Sequence, residues 1–133
     1  MTAFVYESER YVEGNVQILG VSVEPAEEGK KFIERVTRDC REDRPQIKLD
    51  PYPLRLLTDP DAELIRAAGA ENEGHWAGLI AAPITYVVDT AGKIRWAYVS
   101  KSASDRPSPV ALAKTACAIA AGNEPPAEYP GQD

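Results

Sequence analysis

The chain has 133 residues, of which 44% are hydrophobic and 27% charged, and its formal net charge at pH 7 is −6. This length and composition are typical of one globular domain, and the acidic balance leaves no basic surface that would favour a nucleic-acid partner. No apolar run approaches the roughly 20 residues that span a bilayer, and the N-terminus lacks the features of a signal peptide, so we expect a cytoplasmic protein without a membrane partner.

The first quarter of the chain predicts a helix, a strand and a second helix. Residues 3–12, AFVYESERYV, place apolar side chains at helical spacing, and Gly14 ends that helix. The run VQILGVSV, residues 16–23, has apolar residues on both faces, which is typical of a strand buried on both sides in a parallel sheet. EPAEEGKKFIERVTRDC follows as a helix with Pro25 in its first turn and Cys40 on its apolar stripe.

The middle of the chain alternates loops with short elements. REDRPQIKLDPYP is polar and proline-rich and predicts a loop, and LRLLTD predicts a short strand. DPDAELIRAAG predicts a helix that Asp59 caps, with Pro60 in the first turn and Gly69 at the end. Residues 70–81 are predicted to form a second loop.

The last third predicts a hairpin and a closing helix. ITYVVD and KIRWAYV read as two strands joined by the turn TAGK. SPVALAKTACAIAAG reads as a helix from a Ser108 cap to Gly122, so we expect a domain over residues 1–122 and a loose proline-rich tail over residues 123–133. The order of elements predicts a mixed α/β sheet with helices on both faces.

Three segments in this order carry a family resemblance: ILGVSVEP before a helix, LLTDPDAELIRAAGA in the middle, and PITYVVDTAGKIRWAYV before the last helix. Together, over roughly Tyr11 to Ala121, they resemble the thioredoxin-like redoxin superfamily, specifically the alkyl hydroperoxide reductase/thiol-specific antioxidant, peroxiredoxin-like proteins. The resemblance implies a thioredoxin-like three-layer sandwich whose mixed sheet ends in an antiparallel hairpin. It also implies antioxidant thiol chemistry without a cofactor, in which a thiol reductant reduces a peroxide or disulfide substrate.

The proline at the start of the ITYVVD strand is a candidate site residue. In the resembled proteins this proline forms a cis bond beside the catalytic cysteine, which implies a cis Ala82–Pro83 bond and a substrate platform that includes Ile84. The residues alone equally allow a trans proline at a strand entry. His75 and Trp76, in the preceding loop, are candidates to line a substrate groove, and their alternative is a solvated histidine and a tryptophan packed over a loop.

Two departures from the resembled family bear on activity. Peroxiredoxins generally carry an arginine where Pro83 stands. Their nucleophilic cysteine begins the helix before the ILGVSV-type strand, and AFVYESERYVEGN matches only the second half of that helix. We therefore expect the sequence to lack the catalytic cysteine and the N-terminal strand that would lie between strands 16–23 and 84–89. These two strands then close against each other, or another segment or chain lies between them, or the sequence is an incomplete version of a longer protein.

The sequence holds two cysteines, Cys40 and Cys117, and one histidine. Their spacing fits neither a metal site nor a CxxC pair, so we expect no metal. Cys40 is either a small core residue or a resolving or sensor thiol whose pKa Arg38 and Arg41 lower. Cys117 is expected to lie beside the apolar face of the last helix and to have no chemical role.

These observations predict a redoxin-family scaffold for peroxide or disulfide reduction that is inactive as this chain, because the nucleophilic cysteine is absent and no catalytic residue can be named. Two alternatives remain open. The first is a non-catalytic interaction module that self-associates, for example as a homodimer, through unpaired strands. The second is a thiol sensor that uses Cys40.

Overall fold

A computed structural model describes residues 6–47, 54–72, 80–81, 83–102 and 104–125, and the architecture below refers to them. The four helices in these ranges are α1 Ser8–Glu13, α2 Ala26–Asp43, α3 Glu63–Ala67 and α4 Pro109–Ala120. The strands in these ranges are β1 Ile18–Ser22, β2 Leu54–Thr58, β3 Glu71–Asn72, β4 Ile80–Ala81, β5 Ile84–Val88 and β6 Ile94–Val99.

The ends of α1 and α4 confirm the boundaries that the sequence predicted. α1 stops at Gly14, and Asn15 turns the chain toward β1 with a left-handed φ of 55°. At α4 the Ser108 hydroxyl accepts a hydrogen bond from Ala111 N at 3.5 Å, and Gly122 follows the helix with φ of 83°. The end of α1 and both ends of α4 therefore depend on local backbone chemistry that the sequence predicted.

α3 begins later than predicted. The Asp59 carboxylate does cap it, but from four residues upstream: Oδ1 accepts from Glu63 N at 3.0 Å and Oδ2 from Ile65 N at 2.9 Å. Ala62 adopts a left-handed conformation directly before the helix, so Pro60 lies in a turn rather than in the first helical turn. The prediction that Pro60 lies in the first helical turn was wrong. The Asp59 carboxylate reaches across a turn over residues 60–62 and caps a helix that starts only at Glu63.

The strands form three ladders. β1 and β2 pair in parallel, with Ile18 opposite Leu54, as the sequence predicted for strands joined by a helix. β5 and β6 form the predicted hairpin, with Ile84 opposite Val99 and a register shift after Val87. β3 and β4 form a two-residue antiparallel pair within residues 70–81, where the sequence predicted only loop.

Each described strand pairs with one neighbour only, so the ladders are separate two-stranded sheets. β1 and β5 do not pair with each other, and the expected closure of these two strands does not occur among the described residues. β1 is also less buried than predicted, because the Leu19 side chain is 56% exposed. None of the five residues of β1 is fully buried, so the prediction of a strand buried on both faces was wrong for the described structure.

Three small apolar clusters hold the elements together. The α2 cluster consists of Val36 and Cys40, the α1/α4 cluster of Tyr11, Ala113 and Ala116, and the α3 cluster of Ala62, Ile65 and Ala70. Partly buried strand residues contact two of them: Ile18 and Val87 contact the α1/α4 cluster, and Ile84 contacts the α3 cluster. Since Ile84 and Val87 are three residues apart on one strand, the two clusters lie on opposite faces of β5.

Among the residues that the structure describes, no helix is both long and apolar enough to cross a membrane. The predicted tail is described only as far as residue 125, and residues 126–133 lie outside the described ranges.

Candidate functional site

Cys40 lies in the last turns of α2 and is completely buried. Tyr6, Phe32 and Ile47 pack against the cluster that it forms with Val36. This helix position and burial agree with the interpretation of Cys40 as a small core residue. A resolving or sensor role stays a prediction, and it would require the residues that cover the thiol to move.

Tyr6, Asp43 and Arg44 lie next to Cys40 and contact one another. The Tyr6 hydroxyl donates a hydrogen bond to Asp43 Oδ2 at 3.2 Å, and the Arg44 guanidinium lies 4.6 Å from the centre of the Tyr6 ring. Burial raises the pKa of the Cys40 thiol above its usual value; Arg44 opposes this rise and Asp43 adds to it. The thiol is therefore protonated near neutral pH, and Arg44 is the cation that acts on it.

The arginines that the sequence singled out do not act on Cys40 in this way. Arg38 contacts the neighbouring Asp39 carboxylate at 3.4 Å and remains largely exposed. Arg41 lies in the last turn of the same helix, also at the surface. The sequence could not separate these three arginines, because the one that affects the thiol lies just past the end of the helix.

Cys117 lies on α4 at the contact with the end of α1. Its thiol donates a hydrogen bond to the Arg10 carbonyl oxygen at 3.3 Å, and it lies directly against Gly14. Burial raises the pKa of this thiol as well, with Arg10 opposing the rise. Cys117 is partly exposed, so it is the more accessible of the two thiols, but it too is held in the protonated form.

Pro83 lies directly before β5, where its carbonyl oxygen accepts a hydrogen bond from Ser100 N at 3.0 Å. Ile84 packs against the α3 cluster, whereas Cys40 belongs to the α2 cluster, so these two predicted site residues are not in one cluster. Ala82, His75 and Trp76 lie outside the described residues, and the geometry of the Ala82–Pro83 bond and the proposed groove stay predictions.

A polar loop between β6 and α4 escaped the sequence reasoning as an organised site. Asp105 accepts a hydrogen bond from Lys101 N at 2.7 Å and another from the Tyr98 hydroxyl at 2.6 Å. The Lys101 amide, followed by the Tyr98 hydroxyl, lowers the pKa of the Asp105 carboxyl below its usual value. These two hydrogen bonds hold the loop that enters α4.

Within the described ranges, no group of three or more His, Cys, Asp and Glu side chains is placed to hold a metal ion.

The family model for the AhpC/TSA family matches residues 1–97, which is well over half of the chain. The chain belongs to the AhpC/TSA family. The resemblance inferred from the ILGVSV and ITYVVD segments is thereby confirmed, and no curated protein gives a significant match.

Solved structures of this family share the fold. Mycobacterium tuberculosis AhpC matches with a TM-score of 0.58 and 24% identity, over 88% of this chain and 57% of that one. Mycobacterium bovis AhpC matches with a TM-score of 0.61 and 21% identity, over 97% of this chain and 64% of that one. A third structure, reduced Prx3 of Vibrio vulnificus in complex with H₂O₂, matches with a TM-score of 0.53 and 20% identity, over 77% of this chain and 56% of that one.

At these identities the matches show the fold, and they confirm the thioredoxin-like α/β class with its antiparallel hairpin. The AhpC/TSA chain described here spans less than two thirds of the length of each of the three structures.

Proposed function

We propose that this chain is an AhpC/TSA-type redoxin scaffold that does not reduce peroxides or disulfides by itself. The observation that carries the proposal is the state of its two thiols: Cys40 is fully buried, Cys117 is partly covered, and burial raises the pKa of both. A thiol that is protonated and covered is a poor nucleophile toward peroxide.

The chemistry of thiol-dependent peroxide reduction explains why these properties matter. A thiolate sulfur attacks one peroxide oxygen, the O–O bond breaks, and the leaving oxygen departs as water or an alcohol after protonation. The sulfur is oxidised to a sulfenic acid, a second thiol displaces water from it to form a disulfide, and a dithiol donor returns two electrons. The first step needs an accessible thiolate, and neither Cys40 nor Cys117 supplies one.

A peroxide-consumption assay tests the proposal. The chain is incubated with hydrogen peroxide and dithiothreitol beside its Cys40→Ser, Cys117→Ser and doubly substituted variants. We expect all four proteins to match the rate of dithiothreitol alone. Turnover above that rate that is lost in Cys40→Ser would overturn the proposal and restore an enzymatic role for this chain.

A second candidate function is self-association through strand edges, with a homodimer as the simplest product. It is supported by the exposed outer strand of the hairpin, where Ile94 and Val99 are 56% and 64% exposed. Static light scattering at increasing protein concentration distinguishes the candidates. A mass that stays at 14.5 kDa, with cooperative unfolding, would count against self-association.

A sensor role for Cys40 is the weakest candidate, because its burial and raised pKa both disfavour oxidation. Intact-mass measurement after mild peroxide treatment tests it: an added oxygen on Cys40 in the folded chain would support the sensor. Cytoplasmic location and a thiol reductant as electron donor remain proposals that come from the sequence and the family.

A further inference from the structure

Cys40 is covered differently from the residues of the other two apolar clusters. Strand residues pack against the α1/α4 cluster and against the α3 cluster. The described residues that pack against the α2 cluster lie outside the strands: Phe32 belongs to α2 itself, Ile47 follows that helix, and Tyr6 precedes α1. Uncovering Cys40 on the Tyr6 side therefore requires no strand to leave its ladder.

Tyr6 reaches Cys40 from a different part of the chain, and the contact joins the ends of two helices. The hydrogen bonds that start α1 are accepted by the Glu7 carbonyl oxygen, one residue after Tyr6. On the other side, Asp43 is the last residue of α2, and Arg44 leaves the helix with φ of −139°. Helix ends open locally at a lower free energy than the middle of an element, so this contact lies where opening is easiest.

Two polar contacts hold the Tyr6 ring in place. Its hydroxyl donates to Asp43 Oδ2 at 3.2 Å, and the Arg44 guanidinium lies 4.6 Å from the ring centre. Asp43 and Arg44 are both exposed, so water competes for their hydrogen bonds and weakens the attraction of the cation for the ring. Breaking these contacts therefore needs much less free energy than unfolding the domain.

We propose that Tyr6 is a gate over the Cys40 thiol: its ring leaves the end of α2 while both helices stay folded, and the opening admits small uncharged molecules to the sulfur. Displacement of one aromatic ring makes room for a molecule of a few heavy atoms, but not for another protein chain. Burial is the main cause of the raised pKa of Cys40, so opening also moves this pKa back toward its usual value. The gate thus controls both access to the thiol and its reactivity.

The gate does not rest on the proposed absence of peroxide turnover, because a thiol can be reached without completing a catalytic cycle. Iodoacetamide labelling of the full chain without peroxide, followed by peptide mass spectrometry, tests it. Tyr6→Phe removes the hydrogen bond to Asp43 and keeps the ring. Asp43 and Arg44, the charged groups that act on the Cys40 pKa, are retained, so faster labelling in this variant reports opening.

We expect labelling of Cys40 to accelerate about fivefold in Tyr6→Phe, the effect of one lost hydrogen bond, and about 50-fold or more in Tyr6→Ala. The rate at Cys117 in the same samples should stay unchanged. A Cys40 that remains unreactive in Tyr6→Ala overturns the proposal.

Tyr86→Phe is the matched control. The Tyr86 hydroxyl donates to the Ala68 carbonyl oxygen at 2.9 Å, and neither residue packs against the α2 cluster. This variant therefore also loses one tyrosine hydrogen bond but leaves the gate intact, and labelling of Cys40 should not accelerate. If both tyrosine variants accelerate labelling in proportion to their loss of global stability, Cys40 is reached by unfolding of the whole domain and the gate is wrong.

Urea and reagent size give a second decision that needs no variant. Moving one ring exposes little surface, so the logarithm of the Cys40 rate should rise with sub-denaturing urea far less steeply than the m value of global unfolding requires. A polymer-linked maleimide should react at Cys40, relative to Cys117, far more slowly than iodoacetamide, once both rates are normalised to those of the unfolded chain. A slope equal to the global m value, or a ratio that does not depend on reagent size, overturns the gate.

Discussion

At Gly14 the end of α1 lies against α4 with no room for a side chain. A Cβ added there would collide with Cys117 Sγ and would stand 3.1 Å from the Arg10 carbonyl oxygen and from Cys117 Cβ. The residue is not in a left-handed conformation, so the requirement for glycine comes from this close approach. The sequence predicted that Gly14 ends the helix, but its contact with Cys117, which is far away along the chain, could be seen only in the tertiary structure.

Gly14→Ala should therefore destabilise the domain by about 1–3 kcal/mol through overpacking. In a Cys117→Ala background much of that cost should disappear, which chemical unfolding of the four proteins of a double-mutant cycle measures. Gly29→Ala, in the interior of α2, is the matched control. Its Cβ would stand at an ordinary contact distance of 3.5 Å from Leu56 Cβ, so we expect stability to rise by about 0.5–1 kcal/mol. Equal effects at both glycines would contradict the packing argument.

Asp105 should make stability depend on pH. The pKa of its carboxyl is lowered in the folded chain, so its contribution to stability is present above the unfolded value of about 3.9 and is lost as pH falls through the lower folded value. The melting temperature of Asp105→Asn should lie below that of the unsubstituted chain at pH 7, and the difference should shrink below about pH 4. Tyr98→Phe removes one of the two donors and should show a smaller effect; a difference that is constant with pH would refute the assignment.

At the scale of elements, local signals carried most of the fold. The β-branched run before Pro25 predicted β1. Ser108 and Gly122 predicted the two ends of α4, because helix caps act within a few residues. The two-residue ladder β3–β4 is too short to leave a pattern, and the start of α3 depends on a left-handed Ala62. The parallel pairing of β1 with β2 followed from the helix between them, whereas its register, with Ile18 opposite Leu54, depends on tertiary contacts.

The cap of α3 gives a prediction at this scale. Asp59→Ala removes both carboxylate bonds to the first turn and should destabilise the domain by about 1 kcal/mol. Asp61→Ala is the control from the same turn, since Asp61 contacts Arg66 through its backbone oxygen, which the substitution keeps. Thermal unfolding of both variants measures the difference, and a larger loss in Asp61→Ala would show that the turn and not the cap sets the helix.

For the whole molecule, the two thiols should report on unfolding. Iodoacetamide at pH 8 should label the partly exposed Cys117 in the native chain, while the buried Cys40 reacts only when its cover opens. Mass spectrometry of timed samples gives both rates, and sub-denaturing urea should accelerate labelling at Cys40 more than at Cys117. Equal native rates would mean that Tyr6 and Arg44 do not shield Cys40.

The candidate site was less predictable than the fold. Family membership followed from the order of three segments, and the burial of Cys40 from its place on an apolar stripe. The raised pKa of Cys117 and the cation over Tyr6 depend on neighbours from other elements, which periodicity does not identify. Which backbone groups of β1 and β5 point toward their paired strands became known only from the hydrogen bonds of Ser22 and Pro83.

The separation into two-stranded ladders has a consequence for the order of folding. β5 and β6 are joined by a short turn, so this hairpin closes in about 1–10 μs, whereas β1 meets β2 only after the intervening helix has brought distant residues together. Pulse-labelling during refolding should therefore protect the amides of Thr85 and Val87 before those of β2. We therefore expect the β5–β6 hairpin to form first and the pairing of β1 with β2 to be the slow step.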